Sequence, residues 1–131
     1  MSRENVDLVR RALMAWQSGA VGEMDELVAA DAEWRPSPLS RASREVYVGP
    51  EGIRDWASEM VGRHSEIRNE IDDVRDLGDR VLVLGRVREM AEGKVRLDAQ
   101  LAWLFEIAGG RIVGGREFAD PAEAYRVAGL D

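Results

Sequence analysis

The chain has 131 residues, of which 45% are hydrophobic and 33% are charged, which suits one domain with its own core and is too short for two. A formal net charge of −7 argues against a nucleic-acid or anionic-membrane surface, because both require a basic face. The lack of cysteine excludes disulfides and thiolate catalysis. No apolar run approaches the roughly 20 residues that span a bilayer, and the N-terminus lacks the apolar segment of a signal peptide. We therefore expect a single cytoplasmic domain over residues 1–131.

The first half of the chain has the apolar spacing of helices. Val6, Val9, Leu13 and Trp16 recur at intervals of three or four residues, which places them on one helical face. A proline-bearing segment follows the first strand, and loops of this length are often lids or pocket rims. The predicted elements are, in chain order, a helix over 5–18, a short helix over 23–30, a strand over 32–35, an irregular segment over 36–44, and a helix that opens at Gly49-Pro50.

The second half has the patterns of an antiparallel sheet and a short capped helix. In the segment 95–107 every odd position is apolar, and most even positions are polar, so Leu101 and Trp103 are predicted to face the core. Asp120-Pro121-Ala122-Glu123 has the form of a capping box, so we interpret Asp120 as a structural N-cap. The predicted strands are 66–76, 80–89, 95–107 and 111–119, and the helix after Asp120 is expected to end at Gly129.

This order of elements resembles the nuclear transport factor 2-like superfamily, and within it the SnoaL-like proteins, which include polyketide cyclases and limonene epoxide hydrolases. The resemblance covers about residues 6–130. It implies an α+β fold in which a cone-shaped, curved antiparallel sheet wraps around three N-terminal helices, with a short C-terminal helix and a pocket at the wide end. The segments that carry the resemblance are Tyr47-Val48-Gly49, Gly110-Arg111-Ile112-Val113 and Arg116-Glu117-Phe118-Ala119-Asp120.

The epoxide hydrolase pattern implies where a site would lie. That family places an arginine and an aspartate two residues apart on one strand, and a second aspartate on the last strand, where together they hold and activate a water. Here Arg86 matches the arginine, Arg88 replaces the first aspartate, and Glu117 stands at the second. The resemblance therefore implies a cluster that suits an anionic or carbonyl-bearing ligand better than a neutral epoxide. We predict that Arg86 and Glu117 point into one cavity.

Each candidate also has a structural interpretation. Glu117 is either a general acid or base in an apolar cavity or a solvated or ion-paired strand residue. Arg86 and Arg88 either bind a carboxylate or enolate of the ligand through both guanidinium N–H groups, or they form ion pairs with acidic residues on the outer face. We favour the outer face for Arg88, because it lies near the end of its strand. His64, the only histidine, is either a proton shuttle or a helix C-terminal residue favoured by the dipole. One histidine without cysteine argues against a zinc site.

Large apolar side chains are expected to line the pocket. Four tryptophans fall on faces predicted to look inward, where they serve either as core or as flat walls for a ring-shaped or hydrophobic ligand. The residues predicted to bind the ligand are Trp16, Trp34, Tyr47, Trp56, Met60, Leu84, Arg88, Leu101 and Trp103.

The sequence thus predicts a SnoaL-like protein with a hydrophobic pocket that needs no metal or organic cofactor. As an enzyme it would cyclise, isomerise or hydrate a small apolar carbonyl compound, with Glu117 or His64 moving the proton and Arg86 stabilising negative charge. Two alternatives stay open: a non-catalytic ligand-binding or interaction module, and a cone plugged by its own tryptophans that works only as a dimer. We expect a homodimer through the outer face of the sheet, because the strand 80–89 is apolar on both faces and each face needs cover.

Overall fold

The computed structural model describes residues 2–18, 21–61 and 66–130. It shows the expected α+β fold, with helices packed on a six-stranded, curved and unclosed sheet. Two single turns of 3-10 helix, Val21–Glu23 and Pro38–Ser40, interrupt the connections. The helices are α1 (Ser2–Ser18), α2 (Met24–Leu27), α3 (Gly49–Val61) and α4 (Pro121–Ala128). The strands are β1 (Val28–Arg35), β2 (Tyr47–Val48), β3 (Glu66–Asp76), β4 (Arg80–Ala91), β5 (Lys94–Ala108) and β6 (Arg111–Phe118).

The sheet is mixed rather than purely antiparallel. Its strand order is β2-β1-β6-β5-β4-β3, and β1 runs parallel to β6 while the other neighbours are antiparallel. The prediction of a wholly antiparallel sheet was wrong at this one pair. Strands β1 and β6 are far apart in sequence, so no hairpin turn fixes their relative direction.

The predicted second helix is shorter than expected. It ends at Leu27, and Val28, which the sequence pattern had assigned to this helix, begins β1 opposite Ile112. The physical reason is that Val28 is β-branched and 2% exposed, so it packs better on a covered, pleated sheet than in a short helix.

The register of the long strands separates an inner face from an outer face. Trp103 of β5 lies between Val83 of β4 and Glu117 of β6, so the odd-numbered residues of β4 from Val81 to Glu89 share its face. This inner face carries the main core together with α1 and α3. The predicted inward orientation of Leu101 and Trp103 is confirmed, since both are buried in that core.

Helix α4 covers part of the outer face. Leu82 and Phe118 are buried there against Ala124 and Ala128 of α4. The packing of α4 therefore accounts for the apolar residues on the outer face of β4. The argument that a partner must cover this face is therefore wrong, and the homodimer stays a prediction without that support. The helix begins as expected, because the Asp120 carboxylate accepts a hydrogen bond from the Ala122 backbone N–H at 3.0 Å. No described helix is long and apolar enough to cross a bilayer.

Candidate functional site

The most unusual group on the inner face is the carboxylate of Glu117, which is only 6% exposed. Its Oε1 atom accepts hydrogen bonds from the Ser37 backbone N–H at 3.2 Å, the Ser37 hydroxyl at 2.6 Å and the Ser40 hydroxyl at 2.7 Å. Its Oε2 atom accepts one hydrogen bond, from the indole Nε1–H of Trp103 at 3.1 Å. A buried carboxylate is normally ion-paired or hydrogen-bonded. The Glu117 carboxylate is hydrogen-bonded to neutral hydroxyl and N–H donors.

Three separate segments build this site. Trp103 and Glu117 are directly paired residues of β5 and β6. Ser37 precedes the 3-10 turn that follows β1, and Ser40 is the last residue of that turn. The Ser37 hydroxyl also caps the turn by accepting a hydrogen bond from the Leu39 N–H at 3.2 Å. The indole of Trp103 lies across Gly85 of β4, where an added Cβ would stand 2.8 Å from its Cζ3 atom and 2.5 Å from the Glu70 carbonyl oxygen.

The two oxygens of Glu117 are unequal, and this has a chemical consequence. A carboxylate has about four lone-pair sites. Oε1 accepts from three donors, whereas Oε2 accepts only from Trp103 among the residues that the structure describes. Oε2 is therefore the oxygen with capacity for a proton from another molecule.

Loop 36–46, the connection between β1 and β2, is held to the inner face by carboxylates. Besides the Glu117 contacts, Arg41 forms an ion pair with Glu89 at 2.8 Å, and Glu89 is a buried inner-face residue of β4. The Ser43 backbone N–H donates to Glu59 of α3 at 2.9 Å. Leu39 and Ala42 pack against the core. The loop is thus a cover over this part of the inner face.

Glu59 is a second charged group with a defined environment. Its Oε2 accepts a 2.5 Å hydrogen bond from the hydroxyl of Tyr47, whose side chain is fully buried. That hydrogen bond is the main reason that the pKa of the Glu59 carboxyl is lowered, and the Ser43 N–H lowers it further against the opposing effect of desolvation. Arg44 lies over the Tyr47 ring at 5.0 Å.

Arg86 and Arg88 do not join Glu117. Both lie on the outer face, where Asp98 accepts from Arg86 at 2.6 Å and from Arg88 at 3.4 Å. Asp98 raises the pKa of Arg86, and Arg86 in turn lowers that of Asp98. The prediction that Arg86 and Glu117 point into one cavity is therefore wrong, and the outer-face interpretation favoured for Arg88 is confirmed.

A β-bulge determines the face of the sheet on which Arg86 lies. The two-residue turn at Glu92-Gly93 pairs Ala91 with Lys94, and continuing that register would place Arg86 opposite Ala99 on the inner face. The register shifts by one residue between Glu89 and Met90, so Arg86 pairs with Gln100 instead. A shift of one residue moves every later side chain to the opposite face.

The predicted wall residues divide between the two faces. Leu84 is an outer-face residue that packs against the cluster under α4, so its assignment to the pocket was wrong for the same reason as that of Arg86. His64 lies outside the described residues. The wall residues that the inner core holds are Trp16, Trp34, Tyr47, Trp56, Met60, Leu101 and Trp103.

Three of the tryptophans pack together in the main core. The ring centroids of Trp16 and Trp56 are 3.8 Å apart, those of Trp34 and Trp56 are 5.4 Å apart, and Trp34 stacks on Phe105 at 5.8 Å. Beside them lies an apolar cavity of about 30 Å³, lined in part by Trp16, Trp34 and Phe105. A cavity of this size holds about one water molecule, so a larger ligand in this cavity requires side chains or the loop to move.

Sequence reasoning missed Ser37, Ser40 and Glu89. The serines belong to an irregular loop, and their contacts with Glu117 join residues 77 to 80 positions apart, which no local pattern reveals. Glu89 could have been found, because it is the charged residue that ends the alternate apolar positions Val81, Val83 and Val87. Among the residues that the structure describes, no group of three His, Asp or Glu side chains is placed to hold a metal ion.

Comparison with known proteins agrees with this architecture. A sequence model of the SnoaL-like domain matches residues 9–115. The chain belongs to the SnoaL-like domain family. No match was found among the curated proteins. The resemblance inferred from the sequence is thus confirmed at the level of the family.

Solved structures of similar proteins cover nearly the whole SnoaL-like chain. Bal32a, from a soil-derived mobile gene cassette, is 28% identical, covers 88% of this chain and 88% of its own, and has a TM-score of 0.77. TerC, co-crystallised with polyporic acid, is 14% identical over 96% of this chain and 98% of its own, with a TM-score of 0.77. An LEH-like epoxide hydrolase of M. tuberculosis is 17% identical, covers 95% of this chain and 89% of its own, and has a TM-score of 0.73. The last two likenesses show the fold alone.

Proposed function

We propose that this SnoaL-like protein is a cofactor-independent enzyme that transfers a proton on a small apolar carbonyl compound, with Glu117 as the general base. The observation that carries the proposal is the buried Glu117 carboxylate on the inner face, whose Oε1 is fixed by two serines while Oε2 accepts, within the described part of the chain, from Trp103 alone. A base held in one orientation, away from bulk water, is what general base catalysis requires.

The surroundings favour an apolar substrate. The inner face is formed by tryptophans and aliphatic side chains, which bind rings and hydrocarbon by contact. Proteins that share the fold act on or bind small organic molecules, as the M. tuberculosis epoxide hydrolase and the TerC complex with polyporic acid indicate. Their low identity leaves the reaction to be argued from the residues of this chain.

The reaction proposed for Glu117 is removal of a proton from the carbon beside the carbonyl group. Oε2 takes the proton, the C–H electron pair becomes the carbon–carbon double bond of an enolate, and the carbonyl π pair moves to oxygen. Returning the proton to the opposite face of the same carbon, or to the far end of a conjugated double bond, completes an isomerisation. In a cyclisation the enolate carbon attacks a second carbonyl of the same molecule, whose π pair moves to oxygen, and that oxygen takes the proton back from Glu117. Arg86, which lies on the outer face, takes no part.

Substrate reaches Glu117 by displacement of loop 36–46. The loop supplies three hydrogen bonds to Glu117 and is also held by the Arg41–Glu89 ion pair. Lids of this kind exclude water from the reaction once they close.

Exchange of α-protons for deuterium tests this proposal without knowledge of the natural substrate. We expect the protein to speed the loss of the α-proton NMR signals of acetophenone, 1-tetralone or cyclohexanone in D₂O above the rate in buffer. Glu117→Gln should lose most of this excess rate, because an amide cannot accept the proton. Arg86→Ala and Glu106→Gln, both changes at the outer face, should keep it. Exchange no faster than in buffer with all three ketones, or an unaffected Glu117→Gln variant, would contradict the proposal.

A non-catalytic binding module is the second candidate, and one observation favours it. The same hydrogen bonds that position Glu117 also tie down loop 36–46, so this carboxylate could serve the fold alone. Ligand binding without deuterium exchange would indicate this function. The homodimer is a separate proposal, tested by sedimentation equilibrium, where a mass near 14.6 kDa at all micromolar concentrations would contradict it.

A further inference from the structure

Two indole N–H groups in the core lack an acceptor within the part of the chain that the structure describes. They are the Nε1 atoms of Trp34 and Trp56, and each of these side chains is only 4% exposed. Trp103, by contrast, donates its Nε1–H to Glu117. A buried indole N–H normally finds a partner, because leaving it without one costs free energy. Two such donors on neighbouring rings therefore indicate a binding site for a hydrogen-bond acceptor.

Trp34 is a neighbour of the proposed base on the inner face, and Trp56 packs against Trp34. Trp34 and Trp56 have ring centroids 5.4 Å apart. Trp34 is paired with Gly115, which is two residues before Glu117 on β6, and two residues along a strand span about 6.6–6.8 Å. The Cε3–Cζ3 edge of the Trp34 ring lies against Gly115, so the opposite edge, which carries Nε1, is turned away from β6. Trp34 and Glu117 thus occupy neighbouring positions of the inner face.

We propose that the indole N–H groups of Trp34 and Trp56 bind the carbonyl oxygen of the substrate. This inference rests on the proposed function and supplies the electrophilic group that Arg86, on the outer face, cannot provide. As the Glu117 carboxylate removes the α-proton, negative charge develops on that oxygen, and the N–H donors that bind it stabilise the enolate.

The chemistry of these donors narrows the substrate class. Indole N–H groups are neutral, and their surroundings are aromatic and aliphatic. An ionised ligand group would lose its hydration there without gaining a counter-charge, which is strongly unfavourable. We therefore infer a neutral ketone, aldehyde or ester with a hydrophobic body, and we reject the anionic ligand that the sequence alone left open.

Indole NMR signals test the binding step separately from turnover. The chain has four tryptophans, so a ¹⁵N-tryptophan sample gives four indole signals, which single Trp→Phe variants assign. We expect acetophenone to move the Trp34 and Trp56 signals downfield, and its isostere α-methylstyrene, which has no oxygen, to leave them in place. Glu117→Gln should keep the response. A wild-type protein that shows the shift but exchanges α-protons no faster than buffer would contradict the proposed function and leave this inference standing. Equal shifts with both compounds, or no shift with any of the three ketones, would overturn the inference.

An isosteric replacement tests whether these N–H groups serve the fold instead. β-(3-benzothienyl)alanine keeps the shape of tryptophan and replaces the N–H with sulfur. At Trp34 or Trp56 it should leave the melting temperature of the ligand-free protein unchanged or raised, while the affinity for acetophenone falls. At Trp103 it should lower the melting temperature, because the Glu117 hydrogen bond is lost. A comparable drop at Trp34 and Trp56 would show that a structural partner, such as a buried water, already satisfies them, and would overturn the inference.

Discussion

The substitution Glu117→Gln should destabilise the fold through the indole of Trp103. The amide oxygen of glutamine can still accept from Ser37 and Ser40, but its NH₂ group would then face the Trp103 N–H, donor against donor. Trp103 is 4% exposed, so water cannot replace the lost acceptor. A buried donor without a partner costs about 1–3 kcal/mol. For a chain of this length each kcal/mol lowers the melting temperature by about 3–5 °C.

Thermal unfolding followed by circular dichroism measures this effect, with Glu106→Gln as the matched control. Glu106 is an exposed residue of β5, so its replacement should change stability by less than about 0.5 kcal/mol. A double-mutant cycle with Trp103→Phe should show coupling of about 1 kcal/mol or more, because either change alone breaks the same hydrogen bond. If Glu117→Gln melts within a degree or so of the control, or the two changes are additive, the hydrogen-bonded Glu117 site described above is wrong.

Three further substitutions test other parts of the fold. Asp120→Ala should cost about 1 kcal/mol by removing the N-cap of α4; an unchanged denaturant midpoint would show that the cap contributes nothing. Gly85→Ala should cost about 1–3 kcal/mol, because the new methyl group meets a carbonyl oxygen and the Trp103 ring; wild-type stability in urea would contradict that packing. The lowered pKa of Glu59, caused first by Tyr47, stabilises the fold above the unfolded-state pKa and is lost as pH falls, so Glu59→Gln should flatten the melting-temperature profile below about pH 4.5. An equally steep acid limb in that variant would argue against this linkage.

The sequence predicted side-chain orientation correctly where one face of an element is buried and the other is exposed to solvent. The strict alternation of β5 correctly placed Leu101 and Trp103 inside, because only one side of much of that strand packs on the main core. The cap at Asp120 was also readable, since its chemistry lies within four consecutive residues.

The sequence did not predict side-chain orientation in β4, because apolar and polar residues do not alternate along that strand. Helix α4 covers Leu82 on the outer face while the main core covers Val81 and Val83 on the inner face, so both parities are apolar there. The bulge beside Glu89 then reverses the register that the hairpin turn indicates. Only the pairing of the folded strands shows on which side Arg86 lies.

A crystal structure of the protein soaked with 1-tetralone tests the central claim most directly. The account predicts the ketone on the inner face, with its carbonyl oxygen within hydrogen-bond distance of Nε1 of Trp34 or Trp56, and with its α-carbon on the side of Oε2 of Glu117. Loop 36–46 would be displaced or reclosed over the ligand. A ketone bound on the outer face beside Arg86, or bound inside with its oxygen turned away from both indoles and its α-carbon remote from Glu117, would contradict it.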